Sequence, residues 1–426
     1  MMSLQQIVPF ICLIFVIIFT IIRKVGNLNI PIWLVMILSA IFCIIFGSIS
    51  FNEALKAIDF DVIIFLFCMF LIAESFQTSG YLYHVAHKIF SNTESARHLI
   101  LVLIFFSAAV SGLLMNDTMV IIGTPLVIYF ARKHNISSKL LLLTLMYSVT
   151  IGSVFSPIGN PQNLLIAINS KMNSPFILFF VYLLPPTIVN LFILYFLMNF
   201  VFNKEIHTIP LIHEKEEMED PSLAKLCRIS LFILLIAVLM KILIIFVNPN
   251  FNLPLTYIAI AGLIPIIFGL FKRSYLLRKL DWGTLIFFVG MFILMKSIWN
   301  TNIIQNFMSK NKIDLSSIPI LMTISVIFSQ VLSNVPLVAL FMPVLKASSA
   351  NTALYMALAA SSTLAGNFLI LGAASNVIAI QNAEKLDEKI PTIKFSLIGI
   401  PLGIINLLVV YIWFLFLNFI NIDKFL

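Results

Sequence analysis

The chain is 426 residues long, 61% hydrophobic and only 10% charged, with a mean hydropathy of +1.08. That is too little charge to cover a water-soluble domain of this size, so the bilayer is the solvent in which the sequence makes sense. The net charge of +8 falls in short loops between apolar segments, where it sets orientation and does not mark a nucleic-acid partner.

A helix needs roughly 20 mostly apolar residues to cross about 30 Å of hydrocarbon. In chain order, crossings are predicted at about 7–22, 30–49, 60–79, 139–168, 174–202, 223–247, 254–271, 281–299, 351–383 and 394–422. The first has no basic region before it and no small-residue cleavage site after it, so it reads as a retained helix. Two further apolar pairs, about 98–132 and 315–346, carry a polar break at their centre and read as hairpins that enter and leave on one face. With the N-terminus outside, this count places eighteen basic residues in inside loops and six in outside segments, a positive-inside pattern. Both termini then lie outside, and the acidic stretch 203–222 is a cytoplasmic linker. Cys12, Cys43, Cys68 and Cys227 are isolated and form no metal or redox pattern.

The two halves match. Asp59-Phe60, Ile64-Phe65, Met69-Phe70 and Ser75 correspond to Asp281-Trp282, Ile286-Phe287, Met291-Phe292 and Ser297, at an offset of 222. Asn116, Val120 and Pro125 correspond to Asn334, Val338 and Pro343, at 218. Gly159, Asn163, Leu164 and Leu165 correspond to Gly372, Asn376, Val377 and Ile378, at 213. Each half, 1–202 and 223–426, holds five crossings and one hairpin. Five is odd, so the halves are inverted relative to each other. The expected fold is an all-α polytopic membrane protein of two inverted repeats, each with five crossings, a re-entrant helical hairpin and a broken helix.

Polar residues within the membrane gather at the hairpin tips and the breaks, where buried backbone or a wet cavity makes them tolerable. The candidates in the first half are Asn116, Asp117, Thr118, Ser156, Gly159, Asn160 and Asn163; in the second they are Ser333, Asn334, Thr363, Gly372, Ser375 and Asn376. Pro157, Gly159 and Pro161 break the helix. The freed carbonyls and amide oxygens suit Na⁺, and half-helix N-termini suit an anion. Asp117 is the sharpest residue, because an acid inside the membrane is costly. It is read as a cation or proton site; the alternative is a carboxylate that accepts hairpin-tip amides and holds the turn. Glu74 and Lys296 occupy equivalent repeat positions and either pair or reach to the interface; Lys241 is expected to reach out likewise. No P-loop appears, which excludes an ATP-driven pump in this chain alone. No nucleophile–base or metal-ligand set appears either, so no enzyme and no cofactor beyond a coupling ion is expected.

These motifs resemble the ion transporter superfamily, and within it the group of arsenite permeases, divalent anion–sodium symporters and citrate transporters, nearest to the permease branch without assigned function. The residues that carry the resemblance are Met115-Asn116-Asp117-Thr118, Ser156 to Asn163, Ser333-Asn334-Val335-Pro336 and Gly372 to Asn376. It implies a scaffold domain and a mobile transport domain with elevator-like movement, often in a homodimer. It also implies Na⁺ sites at Asn116, Gly159 and Asn163 and at Asn334, Gly372 and Asn376. The tips depart from the Ser-Asn-Thr of the dicarboxylate branch. The expected function is a secondary active transporter of a small anion or oxyanion in the plasma membrane, coupled to Na⁺ or H⁺. Alternatives are a Na⁺/H⁺ antiporter, an arsenite or antimonite efflux permease and, from another class, an ion channel.

Overall fold

The computed structural model describes residues 4–21, 24–25, 28–90, 93, 95–170, 172, 174–203, 205, 220–247, 253–270, 273–303, 305–306 and 315–422. Most of the predicted linker, 206–219, lies outside the described residues. Among those described, the chain is helical apart from one two-rung antiparallel ladder, Lys24–Val25 against Leu28–Asn29.

The first half runs α1 (Leu4–Ile21), α2 (Ile32–Ile45), α3 (Phe51–Ala57), α4 (Phe60–Thr78), α5 (Tyr81–Phe90), α6 (Ala96–Leu114), α7 (Asn116–Lys133), α8 (Ser138–Gly152), α9 (Pro161–Asn169) and α10 (Pro175–Val201). The second runs α11 (Pro221–Val247), α12 (Leu255–Leu270), α13 (Tyr275–Lys279), α14 (Trp282–Asn300), α15 (Ile318–Leu332), α16 (Asn334–Ala347), α17 (Thr352–Leu364), α18 (Ala374–Glu384) and α19 (Thr392–Phe419). Among the described residues six helices are long and apolar enough to cross a membrane: α4, α6, α10, α11, α14 and α19. Their outer faces stay apolar where no protein covers them: Phe200 on α10 is 83% exposed and Phe419 on α19 is 84% exposed. In water that exposure would be a liability; against lipid it costs nothing.

Helices meet across the two halves. α2 lies on α14, and α12 lies on α4, with α1 and α11 packed outside α2 and α12 respectively. We call this outer group the frame. Inside it the α6–α7 hairpin grips α8, and α15 and α16 grip α17; α18 packs on α7, and α9 on α16. Each broken helix therefore leans on the opposite half's hairpin. Close approach depends on small residues. A Cβ on Gly152 of α8 would run into the Ala108 backbone of α6. The serines beside it seal the contact, Ser107 with Ser148 at 2.6 Å and Ser111 Oγ to the Val149 carbonyl at 2.8 Å.

The sequence match reappears as local hydrogen bonding. Asp59 and Asp281 cap α4 and α14, accepting from the amides of Val62 (3.2 Å) and Thr284 (3.0 Å). Ser75 and Ser297 each donate to the carbonyl four residues back, both at 2.8 Å. Two features depart from the sequence reading, and a third settles nothing it had fixed. The loop segments at α3, α5 and α13 are short helices. Lys241, expected to reach outward, is buried and donates to the Leu253 carbonyl. Glu74 accepts from Thr78 Oγ1 at 3.0 Å, and among the described residues no ion pair joins it to Lys296.

Candidate functional site

The two hairpins turn in the same unusual way. Met115 (φ 73°, ψ 148°) and Ser333 (φ 68°, ψ 164°) hold their tips in a region that side chains rarely adopt. Such backbone costs about 1–3 kcal/mol per residue and persists only where the surroundings enforce it. Each strained residue delivers an asparagine, Asn116 or Asn334, as the first residue of the returning arm.

At the first tip the Asn116 amide donates to the Gly159 carbonyl at 2.9 Å, which joins the hairpin to the break in α8–α9. The break runs from Ser153 to Asn160 because Pro161 can start a helix but not continue one; it stands at the first position of α9. Asn160 caps α9, accepting from the Asn163 amide at 2.8 Å. Asn163 turns its own amide back to the carbonyls of Ser153 (3.0 Å), Val154 (3.2 Å) and Ser156 (3.0 Å). Gly159 has no room for a side chain, since a Cβ there would meet the Ser153 carbonyl. Ser156 Oγ accepts from the Ile158 amide at 3.3 Å.

Thr363 of α17 reaches across from the other half. Its hydroxyl accepts from Asn160 Nδ2 (3.2 Å) and Gln162 Nε2 (3.3 Å) and donates to Asn163 Oδ1 (3.3 Å). One residue of the second half thus completes the first loop. All four side chains are at least 98% buried.

The second break is built differently. α17 gives way to two 3₁₀ turns, Ala365–Asn367 and Ile370–Gly372, before α18 begins. Asn376 Nδ2 donates to the Gly366 carbonyl at 2.6 Å. Gln330 on α15 donates to the carbonyl of Ala365 at 2.9 Å. Here the oxygens are left over. Asn334 Oδ1, Asn376 Oδ1, Ser375 Oγ, Gln330 Oε1 and both polar atoms of the Asn367 side chain are buried without a hydrogen-bond partner among the described residues. Buried polar groups in that state cost about 1–3 kcal/mol each. At the first break the corresponding oxygens are engaged: Asn116 Oδ1 accepts from the Asp117 amide at 2.9 Å, and Asn163 Oδ1 from Thr363.

Asp117 is half-buried at the start of α7. Its backbone is tied to Asn116, but among the described residues no hydrogen bond or ion pair reaches its carboxylate. The turn is held by Asn116, so the alternative role for Asp117, accepting tip amides, is not the one it has. A carboxylate in the membrane with no bonded partner attracts a cation or a proton.

The structure brings Asn116, Ser156, Gly159, Asn160, Asn163 and Thr363 into one network, and Asn334, Gly372 and Asn376 into a second with Gln330. A Cβ on Gly372 would lie 2.9 Å from Gln330 Oε1, and one on Gly366 would lie 3.7 Å from Asn334 Nδ2. Thr118 is buried beside the first tip, Ser333 forms the second, and among the described residues no hydrogen bond ties Thr118 to either network. The sequence reading passed over Gln162, Gln330 and Asn367. A glutamine four residues before the tip asparagine, on an arm whose other polar residues are the small hydroxyls Thr323, Ser325 and Ser329, is the signal that marks Gln330. Among the described residues no group of three His, Cys, Asp or Glu stands ready for a metal ion; the donors are amide and hydroxyl oxygens, which suit a hard cation.

The citrate transporter profile, CitMHS, matches residues 14–355. The chain is 24% identical to a 46 kDa membrane protein of Mycobacterium leprae, over 84% of this chain and 87% of that one. It is 26% identical to the silicon efflux transporter LSI3 of Oryza sativa subsp. japonica, over 82% and 84%. It is 23% identical to the human P protein, over 84% of this chain and 53% of that one. Among solved structures, the YdaH transporter of Alcanivorax borkumensis shares the fold, with a TM-score of 0.59 at 10% identity, over 98% of this chain and 99% of that one.

Proposed function

Since the chain belongs to the citrate transporter family and is therefore a multi-pass membrane transporter and not an enzyme, we propose that it is a secondary active transporter of a small anion or oxyanion, coupled to Na⁺ or H⁺. The observation that carries this reading is the set of unpartnered buried oxygens at the second break. Asn334, Asn376 and the carbonyls around Gly372 would hold Na⁺, which supplies the positive charge that lets an anion settle beside it. Ser375 and the start of α18 would meet the anion, since half-helix N-termini carry partial positive charge.

At the first break Asn116, Gly159 and Asn163 form the equivalent cation set, with Thr118, Ser156 and Asn160 around it. Asp117 supplies the negative charge that the second half lacks, and it takes a cation or a proton. The two halves, inverted, would expose the site to each side in turn by an elevator-like movement of the hairpins and broken helices against the frame. The protein would work as a homodimer in the plasma membrane, termini outside and linker inside. The Na⁺/H⁺ antiporter reading is favoured by one specific observation, the Asp117 carboxylate with no base beside it.

The test is thermal stability of the purified protein in detergent, with Na⁺ titrated against choline at several pH values. Ligand at about 100 times its dissociation constant stabilises by roughly 2.7 kcal/mol. A Na⁺-specific rise that Asn376→Ala abolishes supports the Na⁺ site. A stability that depends on pH and flattens in Asp117→Asn supports proton coupling. Identical curves for Na⁺ and choline at every pH, in wild type and both variants, would remove the basis for cation coupling.

A further inference from the structure

A cavity of about 640 Å³ opens between α4 and α14 on one side and α9 and α16 on the other, lined by Lys56, Asp59, Asp61, Asn169, Lys296 and Lys346 among others. It is the gap between the frame and the inner group of hairpins and broken helices. A hydrogen bond crosses it. Asn169, the last residue of α9, donates through Nδ2 to Asp59 Oδ2 at 2.7 Å, and Asp59 is the cap of α4. Lys346, in the last turn of α16, donates to Asn169 Oδ1 at 3.1 Å and aims the amide. The inner group is thereby fastened to the frame by a charge-assisted hydrogen bond between two half-buried residues.

Both residues have counterparts in the second half. Asp59 corresponds to Asp281 at the 222 offset, and Asn169 to Asn382 at the 213 offset of the neighbouring block. Asp281 caps α14 as Asp59 caps α4, so the equivalence holds in geometry as well. Yet among the described residues this second pair is open. Asp281 is exposed, its oxygens taken by Thr284, from the amide at 3.0 Å and the hydroxyl at 2.5 Å. Asn382 Oδ1 accepts from Lys385 Nζ at 3.4 Å. One conformation thus holds one pair made and its twin unmade. In a transporter of inverted repeats, each half adopts the other's arrangement at the opposite end of the cycle.

We propose that Asp59–Asn169 and Asp281–Asn382 are alternating latches, each closing as the other opens, so that they fasten the inner group to the frame at the two ends of transport. This rests on the alternating-access reading above, but it adds residues outside the ion and substrate set. They are positioning residues: they touch no transported ion and act by setting which end state is populated. Removing a hydrogen bond to a charged group shifts a two-state equilibrium by about tenfold or more.

The test uses the full chain in reconstituted membranes and a short bifunctional thiol reagent. Asp59→Cys/Asn169→Cys and Asp281→Cys/Asn382→Cys are made separately and together, and wild type reports any reaction of the native cysteines, all buried. Each double variant is expected to acquire an intramolecular bridge. The quadruple variant is expected to acquire one bridge per molecule and never two, read by intact mass. Adding Asn169→Ala to Asp281→Cys/Asn382→Cys is expected to speed bridging of that pair about tenfold. The proposal is overturned if the second pair never bridges while the first does, if doubly bridged molecules form, or if Asn169→Ala leaves the rate unchanged. None of these readouts needs a substrate or a coupling ion. Their failure would leave the ion assignment standing, and a failure of that assignment would leave them interpretable.

Discussion

Thr363 offers the sharpest separation between a residue that fills space and one that joins the halves. Replacing it by valine keeps the shape and removes the hydroxyl. Three bonds are lost, but the losses are unequal. Asn160 Nδ2 keeps Ser153 as a partner, through its carbonyl at 3.3 Å and its hydroxyl at 3.1 Å. Among the described residues Gln162 Nε2 and Asn163 Oδ1 have no other partner, so two groups are orphaned in a buried site. At about 1–1.5 kcal/mol each, the low end for bonds as long as 3.3 Å, Thr363→Val should cost about 2–3 kcal/mol. Thr363→Ser keeps the hydroxyl and loses one methyl, about 0.8 kcal/mol. Thermal unfolding in detergent, followed by intrinsic fluorescence, should rank wild type above serine and serine clearly above valine. Valine as stable as serine would refute the reasoning, because it would mean that packing and not hydrogen bonding holds the loop.

Two further expectations are independent of that network. Ser333→Gly should raise stability by up to about 1 kcal/mol, because glycine accepts the tip backbone without strain while Ser333→Val, β-branched, should lower it; equal melting temperatures for both would count against a strained tip. Just before α11, Arg273 holds Asp220 bidentately at 2.8 and 3.1 Å, and this bond, with further help from the Leu223 amide and Ser222, keeps the carboxyl well below the usual range. A depressed carboxylate contributes stability above its unfolded value and loses it as the pH falls. The stability gap between wild type and Asp220→Asn should therefore be full near neutrality and close below about pH 4; a gap unchanged at pH 3 would contradict it.

Much of the fold was legible because apolar length and polar interruption are one-dimensional signals. Where hairpins are expected, at 98–132 and 315–346, the chain forms the helix pairs Ala96–Leu114 with Asn116–Lys133 and Ile318–Leu332 with Asn334–Ala347. The break expected from Pro157, Gly159 and Pro161 separates α8 from α9, and the gentler one around Gly372 separates α17 from α18. The short helices were not seen, since ten residues such as Tyr81–Phe90 fall below crossing length and read as loop. For α3 a signal was present: Ser50 and Glu53 form a capping box, with Ser50 Oγ accepting from the Glu53 amide at 3.3 Å and Glu53 reaching back to the Ser50 amide at 3.2 Å.

The gathering of these polar side chains was legible, but the state of their hydrogen bonds was not. Both asparagine sets stand out as polar groups in apolar sequence. Which set is saturated depends on Thr363 reaching over from 200 residues away, and no local pattern encodes that. The same holds for Asp59 and Asn169, 110 residues apart, and for the tips, where methionine and serine occupy backbone that sequence reading reserves for glycine.

The central claim is transport of an anion driven by a cation gradient, and flux in proteoliposomes tests it most directly. Vesicles carrying the protein would be given an inward Na⁺ gradient, an inward H⁺ gradient or neither, with labelled citrate, silicate and arsenite offered in turn. The account expects accumulation of at least one anion above empty-vesicle background under one gradient, collapse of that accumulation when the gradient is dissipated, and its loss in Asn376→Ala or Asp117→Asn according to the ion that drives it. Flux that ignores both gradients, or cation movement with no anion accompanying it, would contradict the account.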